Sequence, residues 1–231
     1  MSLIAHWKLD EQTGTSIADS AGTNTGTWAG TGGQGITSVP APNGTGLLFD
    51  GSGDAITVPD SASLDVTAVT ISTWVNIDVG HVGSCYLVAK MQTLGSQEAY
   101  RVLIESDGRI EFMVSDDGAP KTAEDSVGVL SYGVWHHVAA TYSLGTYIIY
   151  VNGVAVPSDG NGASTGTINV GTGRFDIGAR PAGTGVESVF FDGSIDDVRI
   201  YDTALTASEI LALYNSSNGL LSPFNYITHL K

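Results

Sequence analysis

The chain has 231 residues, 42% of them hydrophobic, enough for one large core and too apolar for a disordered segment. Thirty glycines and only 14% charged side chains fit many short strands joined by tight turns. Nine basic against 24 acidic residues give a net charge of −15, which repels phosphate backbones and anionic lipid and so argues against nucleic acid and membrane surfaces as partners.

The lone Cys85 excludes an internal disulfide. The start, MSLIAHWKLDE, has too short an apolar run for a signal peptide, and no other stretch is long enough for membrane insertion. Two expectations follow: a route out of the cell other than the usual export path, or a piece cut from a longer protein.

Leu3 to Leu9 alternates as a first strand with Trp7 turned inward. Asp10 to Pro42 is mostly Gly, Thr, Ser, Ala and Asn and reads as a long loop with short extended pieces. A loop of that length needs something to fix it. Asp19, Asn24 and the carbonyls around Gly22 are oxygen donors of the kind a hard cation uses. Strands follow at Gly46 to Asp50, Ala55 to Pro59, Thr70 to Asp78, Cys85 to Met91, Glu98 to Glu105 and Arg109 to Ser115. The last two are joined by a tight turn at Ser106-Asp107-Gly108. Val134 to Tyr142 and Thr146 to Val151 come next, and Asn152-Gly153 is a strong hairpin signal because both residues tolerate positive φ. Arg174 to Gly178 and Val189 to Phe191 precede the last stretch, DGSIDDVRIYDTALTASEILALYN, from Asp192 to Asn215. There Ile195 to Tyr201 alternates as a strand, placing Asp196 and Asp197 on opposite faces. Thr206 and Glu209 form a capping box that opens a two-turn helix carrying Ile210, Leu211, Leu213 and Tyr214. This pattern predicts an all-β protein, a two-sheet antiparallel sandwich with one short C-terminal helix.

The ordered set HWKLDE, LLFDG, TISTWVNI, GVWHHVAATY, IIYVNGV, GRFDIGA and GSIDDVRIYDTALTASEILALYN resembles the laminin-G-like branch of the concanavalin A-like lectin/glucanase superfamily. The resemblance runs from about residue 3 to residue 215. It implies a jelly roll of one curved sheet over another and, in many members, a structural calcium ion. The domain is therefore drawn at 1–217 and an apolar tail at 218–231.

A structural Ca2+ ion would use Asp19 and Asn24 with Asp196, drawing ligands from both ends of the chain; Asp10, Glu11 and Asp197 are reserves. Glucanase members place three acids on one strand face, and the nearest match is Glu105, Asp107 and Glu111. Its spacing is one residue too long and Asp107 belongs to a turn, so the chain is expected not to be an enzyme. His136 and His137 are adjacent on a strand and point to opposite faces, which suits one buried, hydrogen-bonded histidine rather than a metal pair. Aromatics at strand ends or in loops, Trp28, Tyr86, Tyr132 and Phe191, are the candidates for stacking on a cell-surface glycan. Leu220, Leu221, Phe224, Tyr226 and Ile227 make the tail too apolar for a solvated terminus, so it either packs on its own domain or, the favoured reading, docks on a neighbour, implying protein partners in a larger assembly and a homo-oligomer. Together these features predict a non-catalytic binding and structural module, displayed on a bacteriophage virion surface as a capsid decoration or fibre-type adhesin. The alternative is a carbohydrate-binding module of a secreted bacterial enzyme or adhesin.

Overall fold

The computed structural model describes residues 2–30, 33–92, 97–119, 121, 124–159, 164–181 and 187–217. The tail residues Leu220, Leu221, Phe224, Tyr226 and Ile227 lie outside them. In chain order the strands are β1 (Leu3–Trp7), β2 (Ser16–Ile17), β3 (Gly26–Ala29), β4 (Ser38–Ala41), β5 (Gly44–Asp50), β6 (Ala55–Val58), β7 (Val69–Ile77), β8 (Cys85–Met91) and β9 (Tyr100–Ile104). The second half holds β10 (Arg109–Val114), β11 (Glu124–Val129), β12 (His136–Ser143), β13 (Thr146–Val151), β14 (Val154–Val156), β15 (Arg174–Ile177), β16 (Arg180–Pro181), β17 (Glu187–Ser188) and β18 (Asp192–Tyr201), followed by helix α1 (Ala207–Ser217).

Among the described residues these strands form two eight-stranded antiparallel sheets and a separate two-stranded one, β16-β17. One runs β14-β13-β12-β7-β18-β5-β4, with β1 also on β18; the other runs β11-β10-β9-β8-β15-β6-β3-β2. The sandwich is thus all-β with one short helix, as the sequence predicts. Between the sheets lie Trp7, Phe49, Ile71, Phe112, Phe175 and Ile195 in one continuous core. Trp7 stacks on Phe175 with centroids 5.1 Å apart, joining the first strand to the opposite sheet.

The short extended pieces expected between Asp10 and Pro42 are β2, β3 and β4, which join both sheets. Two details differ from the sequence reading. A strand at Glu124–Val129, masked by its acidic and glycine content, closes one edge of the second sheet. The final strand begins at Asp192, after Val189 to Phe191, and spans ten residues.

That final strand has a break in its alternation. Ile195, Val198 and Ile200 all face the core, although regular alternation would put Ile195 opposite the other two. The pairing with β7 slips between Asp196 and Arg199, and Asp197 sits at φ 56°, a left-handed conformation that aspartate tolerates better than most residues. The bulge turns Asp197 toward His6 and Arg199, away from the core, while Asp196 pairs with Trp74 on that same outer side. The two aspartates therefore do not stand on opposite faces of a regular strand.

The outer face of this sheet is covered in part by α1. Thr206 and Glu209 cap it as the sequence predicts: the Thr206 N–H donates to Glu209 at 2.8 Å and the Glu209 N–H donates to the Thr206 hydroxyl at 3.4 Å. Ile210 packs with Leu205, Ala139, Tyr150 and Tyr201. The helix is three turns rather than two. Because of this cover, β7 is buried on both faces, and no helix among the described residues is long and apolar enough to cross a membrane.

Candidate functional site

Beside the helix, the covered face opens into a cleft of about 470 Å³, lined by Pro40, Ala41, Pro42, Trp74, Trp135, Asn152 and Tyr214. Its size falls within the roughly 300–1,000 Å³ range of small-ligand sites. Each wall has a separate origin. Trp74 comes from β7, whose odd positions fill the core and whose even positions, Thr70, Ser72 and Trp74, face outward. Trp135 stands one residue before β12 and is half-buried. Asn152 is the first turn residue of the β13–β14 hairpin, at φ 51°. Its side-chain oxygen accepts from the His137 N–H at 2.9 Å, and its amide lies 3.3 Å from His136 Nδ1.

Tyr214 comes from the last turns of α1 and stacks on Trp74, centroids 5.6 Å apart and planes 28° apart. Gly153 explains how the helix comes so close to the hairpin: a Cβ there would lie 2.9 Å from Leu211 and 3.2 Å from Tyr214, and the residue has φ +78°.

The layer at and behind Trp74 is polar and incompletely satisfied. Trp74 Nε1 and Asp196 Oδ1 are both buried without a hydrogen-bond partner. Asp196 has no exposed surface; it is paired with Trp74 across the strands, and its other oxygen accepts from the Asn43 N–H at 3.1 Å. The same carboxylate lies under the β4–β5 hairpin, where a Cβ on Gly46 would lie 3.1 Å from Asp196 and 3.2 Å from Ala41. Burial, reinforced by Asp197 and Asp10, raises its pKa to about 7. Neighbouring His137 is pushed down to about 4 by burial and holds Ser72 through Nε2 at 2.9 Å, so it stands neutral at pH 7. It is the single buried, hydrogen-bonded histidine expected of the pair, His136 being half-buried.

Of the predicted calcium ligands, Asp19 and Asn24 meet through a hydrogen bond and Asp196 is engaged elsewhere. Asp19 Oδ1 accepts from the backbone N–H groups of His6 (2.8 Å), Ala21 (3.0 Å) and Gly22 (3.0 Å), and Oδ2 accepts from Asn24 N (2.9 Å) and Nδ2 (3.0 Å). Burial alone would raise its pKa, but these donors outweigh it and hold the carboxyl below the usual range. Protein donors thus fill the role assigned to an ion, fixing the early loop onto β1. Asp196 lies elsewhere, beneath the cleft. Asp19, Asn24 and Asp196 do not fit a shared cation.

Among the described residues the acids close enough to share an ion are Glu105, Glu111 and Asp125, which offer oxygens within 4.8 Å of one another. Glu105 and Glu111 leave the hairpin on different strands, as expected, with Asp107 in the turn. Antiparallel register, with Glu111 opposite Leu103, nevertheless makes them diagonal neighbours on one face. Glu111 is held by Arg101 at 2.9 Å, Asp125 by Arg109 at 3.0 Å, and Glu105 accepts from the Ser84 hydroxyl at 2.8 Å. Two of the three acids are therefore already engaged by guanidinium groups and the third by a hydroxyl.

The aromatics singled out for glycan stacking are mostly structural. Trp28 is 3% exposed against Phe49, and Phe191 is fully buried edge-on to the same ring. Tyr86 is 5% exposed between Arg101 and Arg180. Tyr132 is half-buried and packs against the core. The cleft is walled instead by the half-buried Trp135 and Tyr214, with the buried Trp74 stacked behind Tyr214. One signal for Trp74 was present in TISTWVNI, where it shares its face with Thr70 and Ser72 rather than with the apolar set.

Residues 50–211 match a family model of the concanavalin A-like lectin/glucanases superfamily. No curated protein matches the chain. Among solved structures, domain 4 of an extracellular arabinanase from Geobacillus stearothermophilus, in complex with arabinotriose, superposes with a TM-score of 0.69 at 22% identity, covering 92% of this chain and 98% of that one. The binding domain of a botulinum neurotoxin of serotype D/C gives 0.69 at 15% identity, covering 94% of this chain and 52% of that one. Trypanosoma rangeli sialidase gives 0.65 at 18% identity, with 95% of this chain covered. The chain spans 34% of that sialidase. At these identities the likeness is one of fold.

Proposed function

Because the chain belongs to the concanavalin A-like lectin/glucanases superfamily, we propose that it is a non-catalytic binding domain that holds a glycan in the aromatic cleft. The observation that carries this reading is the meeting of Trp135, Tyr214 and Trp74 with the Asn152 amide in one open cleft. Sugars present a C–H face to aromatic rings and hydroxyls to amides, and these are the groups the cleft displays. A lack of catalysis is supported by the commitment of Glu105, Glu111 and Asp125 to Arg101, Arg109 and Ser84.

A glycan array read with the native chain and the Trp135→Ala variant tests the proposal. Loss of a half-buried aromatic anchor at the centre of a site is expected to cost about 2 kcal/mol or more, roughly a thirtyfold loss of affinity. Since Trp135 stands outside the core, the variant should keep its cooperative melt. Undiminished binding by the variant would remove the cleft from the account.

For the place of display we propose the surface of a larger assembly, a virion first. Support comes from the net charge of −15, which keeps crowded copies apart. Mass spectrometry of purified particles tests it; detection only within a secreted polypeptide would favour a carbohydrate-binding module of a bacterial enzyme or adhesin. That second reading is supported by the near-complete match to a single domain of the arabinanase.

A further inference from the structure

We propose that the cleft selects neutral glycans and rejects sialylated or uronate-bearing ones. This rests on the reading of the cleft as a glycan site. Recognition of a sugar carboxylate needs a guanidinium, an ammonium or converging N–H donors. Among the described residues the cleft lining offers none of these cations: its side chains are aromatic, proline or alanine, with Asn152 as the one amide. The histidines behind it do not supply the charge, since His137 is held neutral by burial and His136 is likewise shifted toward its neutral form by burial. Arg199, on the same strand as Asp196, is held by Asp197 at 2.9 Å.

The charge around the cleft is of the wrong sign for an acidic sugar. The domain carries −15, to which Asp196, buried behind Trp74 with its pKa raised to about 7, contributes above that pH. An anionic sugar is repelled by this field. A neutral sugar meets no such penalty. It can stack on Trp135 or Tyr214 and offer hydroxyls to the Asn152 amide. The fold thus recurs in a sialidase while the chemistry of this cleft points away from sialic acid.

The test is titration calorimetry with matched oligosaccharides, each neutral member beside its sialylated or uronate counterpart, on the native chain and on Trp135→Ala and Asp196→Asn variants. The neutral members should bind through Trp135, and the acidic counterparts should bind at least about tenfold more weakly. Asp196→Asn should narrow that gap. Trp135-dependent binding of acidic members as tight as that of neutral ones would overturn the selectivity and leave the site standing. No binding by either series, or binding indifferent to Trp135→Ala, would overturn the glycan site itself and the selectivity with it.

Discussion

The Asp196→Asn variant is expected to be more stable than the native chain by about 2–4 kcal/mol above pH 7, and to differ little from it near pH 4. Folding buries this carboxylate completely, and backbone donors such as the Asn43 N–H only partly offset that, so its pKa rises from the ordinary 3.8 to about 7. Between those values the unfolded chain releases a proton that the folded chain keeps. Native stability should therefore fall as pH rises through that window and level out above it, a total of up to about 4 kcal/mol for a shift of this size. Asparagine keeps an acceptor for the Asn43 N–H and carries no charge to desolvate. Denaturant unfolding at pH 4.5 and pH 8 measures both ends, and an equal difference at the two would refute the assignment. A buried acid that lowers stability is readily kept where it serves a site. Its place under the cleft supplies that reason.

Removing Asp19 should act in the opposite direction. Its two oxygens gather five hydrogen bonds from β1 and the turn that follows, and alanine would strand those donors. Hydrogen bonds to a charged group are worth about 1.5–3 kcal/mol singly and are not additive, so a loss of about 3 kcal/mol is expected. For a chain of this length that lowers the melting temperature by about 6–12 °C. The loss should be the same with calcium or with excess chelator, because the loop is fixed by protein donors. Scanning calorimetry under both conditions would show it, and a chelator effect of similar size on the native chain would restore the ion.

The sequence exposes the fold far better than the site, for physical reasons visible in particular residues. Strands such as TISTWVNI and the Asn152-Gly153 turn carry their geometry locally, through alternation and tolerance of positive φ. The capping box at Thr206 and Glu209 is local too. The bulge at Asp196 and Asp197 is not, since the residues still alternate in polarity; only the burial of both Ile195 and Val198 reveals the slip. The cleft depends on five separate segments meeting, and its aromatics look in sequence like ordinary packing residues. Trp28 and Phe191 mislead for the converse reason: positions near strand ends are covered by the opposite sheet. Asp19 was legible as a loop-fixing carboxylate, but backbone donors within five residues of it and on β1 replace the expected ion.

The most direct measurement is the response of the four tryptophan indole N–H signals to a bound neutral oligosaccharide in heteronuclear NMR. Trp7 donates to the Asn24 carbonyl at 2.7 Å and Trp28 to the Gln34 carbonyl at 3.4 Å, so both should stay fixed. Trp135 and Trp74, the wall and floor of the cleft, should shift with the sugar concentration. Saturable binding that moves Trp28 or leaves Trp135 and Trp74 unmoved would contradict the account.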